Sequence, residues 1–315
     1  MTQNIRYDSS AADVLANIHA AERGVRLAAE LETITVDSIR EIHQALCEGT
    51  QLEMWGGVIR DRQNWVGGNG SNPLSADYVP PAPQEIPALL EDLVAYANRT
   101  DVSAVVQAAL CHAQFESIHP FIDGNGRTGR ALVQVCLMHR GVVGNEVPPI
   151  SLALATQQKD YYESLHGMQH HTDSAARHKA INDWVSLFAG AVTQACADMM
   201  RIANEMDDLR NGWIKRLGTV RTGSALDHML LAIQELPYFS VNTMVRAGVG
   251  SKQSVGKALE RLIGAQIVCQ TNRGKRDRIF EAPEVLEQFA IIERCLASSA
   301  RDTNAAPPIR PVPYR

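Results

Sequence analysis

His119-Pro120-Phe121-Ile122-Asp123-Gly124-Asn125-Gly126-Arg127-Thr128-Gly129, followed by Arg130, is the stretch on which the reading of this chain turns. It brings a base, a carboxylate, a glycine-rich turn and two arginines into one loop. Upstream, Val105, Val106, Ala109, Leu110, Ala113 and Ile118 recur at helical spacing, with no Gly or Pro between Ser103 and His119. Pro120 ends that helix, because the residue before a proline avoids the right-handed helical region. Downstream, Arg130, Ala131, Leu132, Val133, Val135, Cys136, Leu137 and Met138 carry a second apolar helical face. Asp123 to Arg127 therefore sit at the mouth of a new helix.

A helix mouth presents free N–H groups and the positive end of a dipole. Gly124 and Gly126 allow the backbone to approach a ligand closely, so the turn reads as an anion nest. Arg127 and Arg130, three apart, can project on one side of the first turn, and arginine matches phosphate oxygens. Asp123 is placed to hold Mg²⁺, which takes one or two carboxylates together with phosphates. His119 supplies a group that titrates near neutral pH. A Walker loop would need a preceding strand and a Gly-Lys-Ser/Thr end, and a dinucleotide fingerprint also follows a strand; this loop follows a helix. A calcium loop fails at Arg127 and Thr128, where an oxygen ligand and a turn glycine belong.

The loop resembles the Fic family signature, His-Pro-Phe-x-Asp-Gly-Asn-Gly-Arg-x-x-Arg, at every fixed position. Further stretches are similar to the family: Ile39-Arg40-Glu41-Ile42-His43 to its early helix, and His112 to Ile118 to the run leading into the signature. Gln63 to Gly68 and Ala76 to Pro83 resemble its β-hairpin flap, about residues 58–80, and Tyr161 to Leu165 a segment beside its adenine pocket. The resemblance spans about residues 14–200. It implies a mainly α fold, an all-helical core with a small hairpin, and transfer of AMP from ATP to a Ser, Thr or Tyr hydroxyl of a protein, the chain itself included. His119 would be the general base and Asp123 the Mg²⁺ ligand. Gly124, Asn125, Gly126, Arg127, Thr128, Gly129 and Arg130 would hold phosphates, and Tyr161 would border the nucleotide. An exposed flap edge would add a target strand by main-chain hydrogen bonds.

Many relatives restrain themselves with a Ser/Thr-x-x-x-Glu-Gly/Asn helix. Here the only Glu followed by Gly or Asn is Glu48, and Gln44 stands four before it. The expectation is a chain that begins after that helix, is restrained by a separate small inhibitory protein, or carries no such restraint. Because removal of AMP goes with that glutamate, transfer is expected.

The 315 residues suggest two domains, and 45% hydrophobic residues suffice for a sizeable core. No apolar run nears the ~20 residues needed to span a bilayer, and Met1-Thr-Gln-Asn carries no signal pattern. Cys47, Cys111, Cys136, Cys196, Cys269 and Cys295 are scattered, which suits reduced thiols in the cytoplasm. A net charge of −5 argues against nucleic-acid affinity of the whole chain. His166, His170, His171 and His178 read as a solvated face, and His112 as a structural histidine.

The first domain is expected over residues 1–212 and a second over 213–296. Leu226, Met229, Leu230, Ile233 and Leu236 form a helical stripe broken by Pro237. A short helix follows over Val241 to Ala247, then Ser251 caps a helix from Lys252 to about Ile263. Gln266 to Gln270 and Arg278 to Ala282 read as strands, an order that resembles a winged helix-turn-helix. Lys252, Gln253 and Lys257 on the helix, with Arg273, Lys275, Arg276 and Arg278 on the wing, would meet DNA or a protein partner. Residues 297–315 form a proline-rich tail expected to be disordered. Two other readings remain: transfer of a different phosphate-containing group, and a DNA-binding regulator whose core senses ATP.

Overall fold

The computed structural model describes residues 23, 32–68, 72–144, 148–170, 173–272, 278–298 and 305–308. It divides into two compact units, Met1–Gln194 and Ala195–Arg315. The division falls inside the long helix α7 (Ser174–Leu217), as does the expected boundary at residue 213. Among the described residues no helix is long and apolar enough to cross a membrane.

The first unit comprises α1 (Val36–Cys47), α2 (Ile86–Ala97), α3 (Ala104–Ile118), α4 (Asn125–His139), α5 (Ile150–Ala155), α6 (Gln158–Gln169) and the start of α7. Helix α1 opens with a capping box in which Thr35 and Ser38 each bond the other's backbone N–H. Such a cap contributes about 1 kcal/mol. Ile39, Ile42, His43 and Leu46 form its buried stripe.

Helix α3 is buried almost all round, which marks it as the centre of the unit. Alanines 104, 108, 109 and 113 keep it slim, and it packs against α2 and α4. Its polar residues are used structurally. Gln107 donates to the carbonyls of Tyr96, Ala97 and Arg99, closing the end of α2. Trp184 of α7 donates its ring N–H to Ala109 O at 2.7 Å.

The flap departs from expectation. Arg60 to Trp65 and Ala76 to Val79 do not form a ladder; one antiparallel bridge, Val66 with Tyr78, joins the two arms. The reason lies in competing bonds. Arg60 N–H donates to Pro120 O, Gln63 reaches Pro80 O, and Asn64 reaches Phe121 O. The first arm is thus tied down along the signature loop, and Pro80 and Pro81 have no N–H to offer a partner strand. Residues 69–71 of the turn lie outside the described residues.

The second unit holds α8 (Ala225–Glu235), β1 (Tyr238–Phe239), α9 (Val241–Arg246), α10 (Lys252–Gly264), β2 (Cys269–Gln270), β3 (Phe280–Glu281) and α11 (Pro283–Ala297). The sheet is antiparallel in the order β1-β3-β2, with Phe239 opposite Phe280 and Gln270 opposite Phe280. Trp213, Met229, Ile233, Leu259, Leu262 and Phe280 anchor one core. Burying each such side chain contributes about 1.5–3 kcal/mol before entropy is counted. Ser251 caps α10 as expected, accepting from Ser254 N–H.

Three details differ from the sequence reading. Residues 266–268 do not join the sheet, because the C-terminal turn of α10 captures them. Ile267 N–H donates to Leu262 O, and Gln266 takes a left-handed φ of 55° to permit it. Leu236 falls past the end of α8 and is 37% exposed, so the buried stripe stops at Ile233. Part of the tail is ordered. Ser298 pairs with Pro308, and its hydroxyl donates to Ala306 O, which satisfies backbone groups beyond α11. Residues 299–304 and 309–315 lie outside the described residues.

Candidate active site

The site begins where α3 stops. His119 caps α3, its N–H bonded to Phe115 O, with φ 48° and ψ 60°. Pro120 bars the ordinary helical conformation, and a left-handed non-glycine residue costs about 1–2 kcal/mol. Arg60 offsets that strain. It is 2% exposed, and its guanidinium donates to the carbonyls of His119, Ile118, Arg62 and Pro81. No carboxylate is among those partners, so a buried cation sits beside the imidazole held by carbonyls alone.

Three residues brace the loop from within. Asn125, 2% exposed, accepts from Phe121 N–H, donates to Phe121 O and reaches His119 Nδ1 at 3.1 Å. Thr128 hydroxyl donates to Gly124 O. His43 of α1 stacks on Phe121 with ring centroids 3.7 Å apart. His43 Nδ1 accepts Gly57 N–H, so its Nε2–H is the donor to Asp123 O at 2.9 Å. Burial, more than any charge, holds His43 below its ordinary pKa, which keeps this neutral form. Gly124 has no alternative: φ is 79°, and a Cβ would lie 3.0 Å from Leu46 and 3.1 Å from His43.

Helix α4 starts at Asn125, and the first backbone N–H to find a carbonyl is that of Thr128, bonded to Gly124 O. The N–H groups of Asn125, Gly126 and Arg127 are left for a ligand. Beside them lies a cavity of about 750 Å³, within the range of ligand pockets. His119, Gly126, Arg130 and Tyr161 line it together with Glu116, with Val66, Gly67, Asp77 and Tyr78 of the flap, and with Glu163 and His166 of α6. Gly124, Asn125, Thr128 and Gly129 are buried behind this wall. Arg127 does not share the wall with Arg130; its charge is felt at His43 and Cys47. Asp123 is exposed at the mouth, with one carboxylate oxygen accepting Gly124 N–H at 2.5 Å.

The electrostatics separate two groups. Burial, helped by Arg60 and opposed by Asp123, pushes His119 down to about 4, so its imidazole is neutral at neutral pH. Burial pushes the Glu116 carboxyl up to about 7 against the pull of Arg130. Tyr161, whose hydroxyl meets His112 Nε2 at 3.1 Å, is also raised, chiefly by burial.

His112 is the structural histidine expected, 0% exposed and stacked on Trp184. His166 and His170 stack on each other, and no group of three potential metal ligands occurs among the described residues. Lys252, Gln253 and Lys257 are exposed on α10, and Arg278 lies over the Phe280 ring. Arg273, Lys275 and Arg276 lie outside the described residues. Sequence reasoning assigned no role to Arg60, Asn64, His43 or Glu116. Three of them, His43, Asn64 and Glu116, stand in stretches whose family likeness was visible, and Arg60 falls in the expected flap.

Comparison with known proteins adds a family. Residues 33–137 match the Fic/DOC family model. The chain is 33% identical over 143 residues to protein adenylyltransferase fic-1 of Caenorhabditis briggsae, covering 44% of this chain and 25% of that one. It is 33% identical over 142 residues to protein adenylyltransferase Fic of Nematostella vectensis, covering 44% of this chain and 30% of that one. The chain thus spans about a quarter to a third of the length of these relatives. A solved Fic family protein from Desulfovibrio desulfuricans G20 aligns with TM-score 0.48 and 18% identity, covering 84% of this chain and 74% of that one. Residues 33–137, the signature loop among them, thus match the Fic/DOC family.

Proposed function

We propose that the chain is a protein adenylyltransferase that moves AMP from ATP to a Ser, Thr or Tyr hydroxyl of a target protein and of itself. The observation that carries this reading is the meeting of His119, Gly126 and Arg130 on one cavity wall, with free helix N–H groups beside them and Tyr161 opposite. The relatives' name, protein adenylyltransferase, supports it. The target oxygen attacks the α-phosphorus, the new O–P bond forms, the bond to the β-phosphate oxygen breaks, and pyrophosphate departs. The hydroxyl proton passes to His119. The helix N–H groups and Arg130 stabilise charge on the phosphates.

His119 acts as a base only with a lone pair facing the hydroxyl. Its Nδ1 has the amide nitrogens of Asn64 at 3.0 Å and Asn125 at 3.1 Å. Asn64 Oδ1 is buried without a partner. Turning the Asn64 amide end for end, with loss of its bond to Phe121 O and with the Asn125 N–H turned from Nδ1, would let Oδ1 accept Nδ1–H and leave Nε2 free to take the proton. Asp123 suits Mg²⁺ that arrives with the phosphates, since a lone exposed carboxylate fits an ion that keeps waters and phosphate ligands. Mg²⁺ would neutralise charge on the departing pyrophosphate.

A second reading concerns residues 213–296. The order helix, strand, helix, helix, hairpin supports a winged helix-turn-helix, and the exposed Lys252, Gln253 and Lys257 suit contact with DNA or a protein partner. A gel shift with Lys252→Ala and Lys257→Ala tests it; unchanged mobility of DNA with the parent protein would reject the DNA form.

The transferase reading is tested by intact mass after incubation with ATP and Mg²⁺, beside His119→Ala. A gain of AMP units only with His119 is expected. Equal gain in both would remove His119 from the chemistry.

A further inference from the structure

One carboxyl in the cavity wall has no visible work. Glu116 of α3 is 8% exposed, lines the cavity, and its Oε1 has no hydrogen-bond partner. The signature helix is shaped around it: a Cβ at Gly129 would lie 2.5 Å from Glu116 Oε1. The groups that face it are few. On its own helix, His112 Nδ1 lies 4.0 Å away, beside Gly129. Burial pushes His112 down to about 4, so it carries no charge near neutral pH. From α6 comes Tyr161, kept in its neutral phenol form by burial. From α4 comes Arg130, whose charge favours ionised Glu116.

Phosphates entering the cavity compete for Arg130 and bring negative charge into a poorly solvated space. An ionised Glu116 would then face an anion with its counter-charge taken. A protonated carboxyl would face it with an O–H donor, and buried donors and acceptors need partners. We propose that Glu116 takes up a proton when nucleotide enters the cavity and donates that O–H to the bound molecule, so that binding and proton uptake are one event. This rests on the nucleotide reading above. In the free protein the Glu116 carboxyl titrates at about 7, so nucleotide affinity falls as pH rises past that value. The fall approaches about tenfold per pH unit while the bound form stays protonated.

The test is calorimetric binding of α,β-methylene-ATP with Mg²⁺ to the whole chain, above neutral pH, in buffers of different ionisation enthalpy. The parent protein is expected to take up close to one proton. Glu116→Gln, which mimics the protonated carboxyl, is expected to take up about one fewer and to bind with little dependence on pH. His119 also borders the cavity, and any uptake common to both proteins belongs to it. Equal uptake and equal pH slopes in the two proteins overturn the inference while leaving nucleotide binding intact. No binding by the parent protein overturns the nucleotide reading and the inference together. If Glu116→Gln fails to fold, infrared difference spectra of the parent protein serve instead: a protonated-carboxyl stretch that grows on nucleotide addition supports the inference, and its absence overturns it.

Discussion

The two sides of the cavity satisfy their polar atoms in different ways. On the signature side, Arg60, Asn125, Thr128 and His43 are bonded within the protein, and they hold His119 in a strained backbone state. On the side where α3 meets α6, Glu116 Oε1 is buried without a partner at the cavity wall. A buried orphan costs about 1–3 kcal/mol. The contrast teaches that the side chains bracing His119 are tied within the protein while the loop's helix N–H groups stay open, whereas on the other side a buried carboxyl oxygen is itself left open to a ligand.

Breaking the braced side has the largest expected effect. Arg60→Ala strands four carbonyls in a buried place and should cost about 3 kcal/mol in urea unfolding. It should also raise the pH at which His119 protonates, since Arg60 is one of the groups that depress it. A loss below ~1 kcal/mol would mean that water reaches those carbonyls and the brace is weak.

Two buried groups of α3, His112 and Glu116, differ in the sign of their pH linkage. His112 titrates at about 4 in the fold against 6.5 ordinarily, chiefly through burial. Its share of stability is present above pH 6.5 and is lost as pH falls toward 4, on the order of 3 kcal/mol in the limit. Glu116, raised from 4.5 to about 7, acts oppositely: the folded chain holds the extra proton, and stability falls as pH rises through that window. Unfolding free energies of the parent protein, His112→Gln and Glu116→Gln across these pH values isolate the two slopes. Slopes of the same sign would contradict the assignment.

Gly129→Ala sharpens the link between the sides. The new Cβ would meet Glu116 Oε1 at 2.5 Å, Phe115 at 3.0 Å and His112 at 3.1 Å. A loss of about 2 kcal/mol is expected, partly recovered in the Glu116→Ala background. Full additivity of the two substitutions would show that Glu116 does not touch the signature helix. The smallest effect is expected at Asn64. Asn64→Ala should slow transfer about tenfold, near the cost of one hydrogen bond, with nucleotide affinity unchanged. An unchanged rate would leave His119 oriented by Asn125 alone.

How much of this could be read from the sequence depends on how far apart the partners lie. The loop from His119 to Arg130 was legible because one segment carries base, carboxylate and anion nest, and the helices on either side announce themselves by apolar spacing. Arg60, Asn64 and His43 reach the loop from 55 to 80 positions away. Nothing in their own neighbourhoods distinguishes a brace from a surface polar residue. Glu116 is closer in sequence, yet its meaning depends on burial, which spacing did not reveal on a helix covered on all sides. Residues 266–268 misled for a different reason: Ile267 and Val268 suit a strand, but the closing turn of α10 takes their backbone first.

The most direct measurement is transfer of label to protein from ATP carrying ³²P at the α position, run beside ATP labelled at the γ position, with Mg²⁺ and with His119→Ala as the control. The account predicts protein-bound label from α-labelled ATP only, and only with His119 present. Label from the γ position, or α label that persists without His119, would contradict it.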